Sequence, residues 1–140
     1  MNKLTGFNYK THIPLRFTDL DIFGHVNNAV YLTYFEIARS IYLKEVIQWD
    51  WNEIGIIIGK AEINFLKPIV IEDEIFAYVK TSRIGTSSFD VDYALVRVKN
   101  GEEELCTNGK TVCISFDYKL NQSVPIPEVY RIKMEKFEGI

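Results

Sequence analysis

Cysteine and histidine are scarce in this chain, with two of each among 140 residues. A disulfide framework needs more thiols and a zinc site needs clustered Cys or His ligands, so neither a stapled scaffold nor a metal site is expected. Cys106 and Cys113 lie an odd number of positions apart in one predicted strand, which aims them at opposite faces and predicts separate thiols. Long apolar runs are also missing. No window approaches the roughly 18 residues of a membrane-spanning helix, and residues 1–10 lack the apolar run of a signal peptide, so an unexported, cytoplasmic protein without membrane insertion is expected. Nor is there an excess of positive charge: the net charge is −3, and scattered basic residues make no field for nucleic acid. Repeats, low-complexity stretches and linker-like shifts are absent, which predicts a single domain over 1–140.

What is present suffices for one buried core, since 47% of the residues are hydrophobic. Residues 9–18 alternate around Ile13, Leu15 and Phe17, with Pro14 suited to an edge, and read as a first strand. From Asn28 the spacing turns helical. Tyr31, Tyr34, Phe35, Ala38, Ile41, Tyr42 and Val46 form a stripe that Leu32, Ile37 and Leu43 widen beyond what a surface helix needs. Residues 54–66, 74–82, 88–99 and 103–118 read as strands, with Asn100-Gly101 as a tight hairpin turn, and residues 128–137 read as a short closing helix with Pro127 in its first turn. The expected architecture is α+β, an antiparallel five-stranded sheet curled around one long central helix. Such a sheet leaves edges and an outer face uncovered, which predicts pairing with further copies, as a homodimer or homotetramer.

The chemistry concentrates between Arg16 and Tyr31, which hold Asp19, Asp21, Gly24, His25, Asn27 and Asn28 directly before the helix. Asn27 or Asn28 is a natural N-cap, placing free N–H groups and the positive end of the helix dipole there. Preorganised donors of this kind contribute a factor of about 10² to 10³ when they hold a carbonyl oxygen that becomes an oxyanion. No Gly-x-Ser-x-Gly elbow occurs, and two histidines leave little room for a Ser-His-Asp triad. A carboxylate remains, acting on the carbonyl itself or as a base for water. Structural roles compete for each residue: Asp in an Asx-turn, Gly24 for backbone geometry, His25 as a hydrogen-bonded structural residue, Glu36 and Arg39 as an i,i+3 pair, and the tyrosine stripe as core.

The run Asp19-Leu20-Asp21-Ile22-Phe23-Gly24-His25-Val26-Asn27-Asn28, followed by Tyr31-Leu32-Thr33-Tyr34-Phe35-Glu36-Ile37-Ala38-Arg39, resembles the signature of the 4-hydroxybenzoyl-CoA thioesterase family of hot-dog proteins. A weaker likeness reaches Asn64-Phe65, Gly85-Thr86-Ser87-Ser88-Phe89 and Ile126-Pro127. The resemblance implies a hot-dog acyl-CoA thioesterase that releases a carboxylic acid and CoA and needs no cofactor or metal beyond the CoA of its substrate. It implies that Asp21 is the catalytic carboxylate and that the backbone N–H at or beside Asn28 polarises the thioester. Gly24, His25, Asn27 and Tyr31 are then expected around the substrate, and Arg83, Gly85, Thr86, Ser87 and Ser88 near the pantetheine arm or nucleotide. The family's namesake branch lacks the run His25 to Asn28, so the chain is similar to the broader acyl-CoA thioesterases. Two other readings are a non-catalytic acyl-CoA binder and a hot-dog hydratase or dehydratase. Hydratases of this fold separate their Asp and His by four residues, whereas three stand between Asp21 and His25.

Overall fold

Pro14 has no N–H to donate and breaks the first strand early. The computed structural model describes residues 4–140, so the first three residues of the 1–10 stretch lie outside the described residues. Strand β1 (Tyr9–Ile13) ends just before that proline, and the chain then makes a 3₁₀ turn over Phe17–Asp19 where strand had been expected. Helix α1 (Val30–Tyr42) begins two residues later than its apolar pattern, because residues from Asn27 onward already form a turn that feeds it. A π-helical turn over Leu43–Ile47 extends it and stops at Gln48, whose φ of 59° is left-handed.

The strands that follow are β2 (Gly55–Phe65), β3 (Glu74–Ile84), β4 (Ser88–Lys99) and β5 (Glu102–Asp117). A two-residue β6 (Gln122–Ser123) adds a sixth strand that the apolar pattern did not signal, and α2 (Glu128–Glu138) closes the chain with Pro127 one position outside it, as the N-cap. All pairings are antiparallel, in the order β1-β3-β4-β5-β2, with β6 beside β5. Asn100 and Gly101, with φ of 54° and 78°, turn β4 into β5 as their residue types require.

The sheet curls around α1, which buries Tyr34, Phe35, Ala38 and Tyr42 completely against Ile75, Val79, Phe89 and Leu95. Each large side chain so buried stabilises the fold by about 1.5–3 kcal/mol. Phe35 lies flat on Tyr93, ring centres 4.3 Å apart. The space for it exists because Gly109 has no side chain: a Cβ there would stand 2.5 Å from both the Phe35 ring and the Glu62 carbonyl. The expectation that Cys106 and Cys113 point to opposite faces is wrong. The register between β4 and β5 shifts between Leu95 and Val96, opposite Cys106; this bulge adds one residue to β5, restores the parity, and turns both free thiols into the core.

Burial around α1 is incomplete. Leu32 is 45% exposed, and β2 is an edge strand with Ile58 and Phe65 open to solvent, so a groove runs along α1 on its β2 side. Among the described residues no helix is long and apolar enough to cross a membrane.

Candidate active site

The loop before α1 is held by two carboxylates with different surroundings. Asp19 is buried; its Oδ2 accepts hydrogen bonds from the Tyr34 hydroxyl at 2.7 Å and the Arg16 N–H at 3.1 Å, and its Oδ1 pairs with the Arg16 guanidinium at 2.8 Å. Burial alone would raise its carboxyl, but the bonds from Tyr34 and Arg16 outweigh that and hold it below the usual carboxylate range. The Tyr34 phenol is correspondingly pushed up, by burial first and by Asp19 second. Asp19 is thus committed to structure.

Asp21 is not consumed in this way. Only its Oδ1 is engaged, accepting the backbone N–H groups of Phe23 at 2.9 Å and His25 at 3.1 Å. The backbone completes the turn: the Asp21 N–H donates to the His25 carbonyl at 2.7 Å, and the Gly24 N–H donates to the Asp21 carbonyl at 3.1 Å. Gly24 sits at φ 79°, which an L side chain rarely adopts, so glycine is required by backbone geometry. Among the described residues Oδ2 of Asp21 has no hydrogen-bond donor.

The N–H groups that lead into α1 can be followed one by one. Val26 donates to the Ile69 carbonyl, Asn27 to Asp19, Val30 to Asn27 and Tyr31 to Asn28, while Ala29 donates to the Asn27 side chain at 2.9 Å. Asn28 alone in this run has no acceptor for its N–H among the described residues. The expected N-cap is therefore corrected. The N-cap position falls on Ala29, and Asn27 acts one turn earlier, as an Asx-turn that bends the chain and leaves the Asn28 N–H free.

Asp21, His25, Asn28 and Tyr31 line one open cleft of about 240 Å³, whose far wall is Phe65 to Pro68 at the end of β2. The Tyr31 ring meets Phe65 edge-on at 5.0 Å, and its hydroxyl is raised by burial. No site residue was expected on the far wall; its signals were the weaker family likeness at Asn64-Phe65 and two apolar residues, Phe65 and Leu66, at the end of an edge strand, both half exposed. His25 lines the cleft, and its backbone bridges to Val70 as well as to Asp21. Gly24 and Asn27 shape the loop from outside the cleft.

Arg83, Gly85, Thr86, Ser87 and Ser88 are not at this cleft within one chain. Ser88 is opposite Ile114 on β5, whereas Phe65 is opposite Thr107; the seven residue steps from Thr107 to Ile114 span about 23 Å at strand rise. The turn is firmly built: the Ser115 N–H donates to the Ser87 carbonyl, Ile126 donates to Thr86, Arg131 donates to Gly85, and Arg83 reaches Ser88 and Asp90. Among the described residues no three His, Cys, Asp or Glu side chains stand close enough together to hold a metal ion.

The family model of the thioesterase-like superfamily matches residues 15–134. The long-chain acyl-CoA thioesterase FadM of Escherichia coli (strain K12) is 25% identical over 130 residues, covering 91% of this chain and 97% of that protein. A thioesterase from Thermus thermophilus, solved with coenzyme A and Zn, is 33% identical with a TM-score of 0.83, and the match covers 98% of both chains. A 4-hydroxybenzoyl CoA thioesterase mutant solved with 4-hydroxybenzoyl CoA has a TM-score of 0.83 at 15% identity, over 90% of this chain and 97% of that one, a likeness of fold alone. The curled antiparallel sheet around one long helix is the hot-dog fold.

Proposed function

The chain belongs to the thioesterase-like superfamily and is a thioester hydrolase, and from that premise we propose that it hydrolyses a small-molecule acyl-CoA to a carboxylic acid and CoA, using Asp21 and the backbone N–H of Asn28. The observation that carries the assignment is the pairing, in one cleft, of a carboxylate with an uncommitted oxygen and a backbone N–H, that of Asn28, which has no acceptor among the described residues. The thioester oxygen accepts from the Asn28 N–H, which faces no other acceptor and strengthens its bond as the oxygen gains charge. Asp21 takes a proton from water, the water oxygen bonds to the carbonyl carbon, and the tetrahedral intermediate expels the CoA sulfur. The proton held by Asp21 then passes to the thiolate. Direct attack by Asp21, with hydrolysis of the resulting anhydride, uses the same two groups. Neither route requires a metal or a further cofactor.

In a single chain the cleft is open on one side. Phe17, Ile22 and Phe23, on the segment that carries Asp21, are 81%, 93% and 77% exposed, and β2 lies at the edge of the sheet. A homo-oligomer closes it: pairing β2 with β2 of a second copy about a two-fold axis reverses the strand and carries the partner subunit's Arg83 to Ser88 turn toward the Asp21 end. Those residues then meet the pantetheine arm or nucleotide, with Gly24, His25, Asn27 and Tyr31 shaping the near side.

The test is a panel of acyl-CoA thioesters of differing shape, read as free thiol. Turnover on the order of 1 s⁻¹ or more on some member is expected. Tight binding across the panel without thiol release would favour a non-catalytic acyl-CoA binder. A hydratase is disfavoured because three residues stand between Asp21 and His25, whereas hydratases of this fold separate the two by four.

A further inference from the structure

The groove between α1 and β2 holds a second cleft, of about 270 Å³, lined by Glu36, Arg39, Ser40, Trp51 and Ile56. It lies at the opposite end of the groove from Asp21, because Tyr31 near the start of α1 meets Phe65 at the end of β2, whereas Ser40 near the end of α1 faces Ile56 near the start of β2. A two-fold axis through β2 reverses this order, setting the second cleft of one subunit beside the Asp21 cleft of the other.

Lys60 and Glu62 of β2 pair within the chain at 2.9 Å, and across a two-fold axis the register that keeps opposite charges facing is the one that extends this pair. Residues directly opposite in an antiparallel pair share a face, so Lys60 meets Lys60, Glu62 or Asn64 of the partner subunit. The first register opposes like charges, and the last puts Glu62 against the same residue of the partner. Only the register centred on Ala61 sets Lys60 against Glu62 of the partner subunit on both sides of the axis. The extra residue at Gly59, where β2 shifts register against β5, then brings Ile58 opposite Ile63 of the partner subunit, and Phe65 opposite Ile56 of the partner subunit. Ile58 and Phe65, 42% and 49% exposed, are thereby covered, and Phe65, the wall of the Asp21 cleft, touches the wall of the partner's second cleft.

We propose that the two clefts form one composite pocket in which the acyl group of the substrate runs from Asp21 past Phe65 and stops against Trp51 of the partner subunit, making Trp51 the residue that limits acyl size. This rests on the thioesterase reading above. Trp51 suits the role because its turn is fixed: its ring packs on Trp49 at 6.2 Å, and Trp49 is anchored by its indole N–H to the Ile54 carbonyl and by stacking on Tyr130 at 4.3 Å. The Arg39 guanidinium is tied to the Tyr93 hydroxyl at 3.0 Å and so forms a set wall of the cleft. The indole itself is 46% exposed, free to meet a ligand.

Trp51→Ala should remain oligomeric and shift the acyl profile toward longer or bulkier groups, changing the kcat/KM ratio of large to small acyl-CoA by about tenfold or more, with inhibition by CoA unchanged. A mixed dimer of one Asp21→Asn chain and one Trp51→Ala chain is decisive. Its single active site combines Asp21 of the second chain with Trp51 of the first, so the parental acyl profile is expected; a widened profile would overturn contribution from the partner, and an unchanged profile in the Trp51→Ala homodimer would overturn the role of Trp51. Binding of S-alkyl-CoA thioethers of increasing length to the parent protein separates the two readings. A length limit that Trp51→Ala relaxes, in a protein that releases no thiol from any acyl-CoA, would sink the thioesterase reading and leave the pocket standing, whereas no length limit at all would sink the pocket.

Discussion

Tyr34 donates its hydroxyl proton to Oδ2 of Asp19 at 2.7 Å, tying the second turn of α1 to the loop that carries Asp21. The bond is buried and the Arg16 guanidinium supports it from the other oxygen. Asp19→Asn removes the charge that both partners recognise and should lower stability by about 1.5–3 kcal/mol, the scale of a hydrogen bond to a charged group. Tyr34→Phe should cost somewhat less. Turnover should fall by less than about tenfold in both, since neither residue touches the thioester. Urea unfolding with parallel kinetics checks this; a larger rate loss in Asp19→Asn than in Asp21→Asn would reverse the roles given to the two carboxylates.

The same pair sets a pH dependence. Asp19 titrates below its unfolded value of about 3.9 because Tyr34 and Arg16 favour its charged form despite burial. The unfolded chain therefore binds this proton more readily, so the contribution is complete above the unfolded value and is lost as pH falls through the folded one. The stability difference between the parent and Asp19→Asn should be constant near neutral pH and shrink steadily below about pH 4. The Glu104 carboxyl, lowered to about 2 by Lys67 and then Arg97, is solvent-exposed and should add little.

Asp21→Asn should leave folding nearly intact, because an amide oxygen can still accept the N–H groups of Phe23 and His25, while kcat drops by about 10² or more. Asp21→Ala should lose both the rate and the turn, adding about 1 kcal/mol of destabilisation. Thermal unfolding alongside single-turnover rates separates the two effects.

Much of this was legible in the chain, and the reasons are local. The apolar stripe from Tyr31 to Tyr42 and the Asn100-Gly101 turn each carry a short-range signal, and both elements formed near their expected bounds. What could not be read depends on cross-strand register. The bulge at Cys106 reverses the facing that alternation implies, and the strand end at Phe65 becomes a cleft wall only because β2 lies beside β5 while α1 starts over it. That neither asparagine is the N-cap could not be read either, since an asparagine at either position fits it; the cap falls on Ala29, whose N–H the Asn27 side chain takes while the Asn27 N–H bonds the Asp19 carbonyl.

Gly24 isolates backbone strain from packing. A Cβ there would meet nothing within 4 Å, yet φ is 79°. Gly24→Val should therefore cost about 1–2 kcal/mol through conformation alone, displace Asp21, and lower kcat, whereas Gly24→Asn, which tolerates the left-handed region, should retain most of both. Equal losses in the two variants would mean that something other than φ holds this turn.

The two asparagines before α1 should behave differently, although they are adjacent and alike. Asn27 acts through its side chain, whose Oδ1 accepts the Ala29 N–H at 2.9 Å and bends the chain so that the Asn28 N–H is left without an acceptor. Asn27→Ala removes that restraint, costs about 1 kcal/mol of stability as a lost cap does, and lets the donor drift, so kcat should fall by more than the stability loss suggests. Asn28 acts through its backbone, which Asn28→Ala preserves, so kcat should change less there. A donor that strengthens its bond only as the oxyanion forms contributes to kcat and not to ground-state affinity. Inhibition by CoA, which carries no thioester carbonyl, should accordingly be the same in both variants and the parent. Stopped-flow turnover and CoA inhibition measured on the three proteins decide the matter: a raised KM at unchanged kcat in Asn27→Ala would show that this turn binds the substrate uniformly and does not stabilise the transition state.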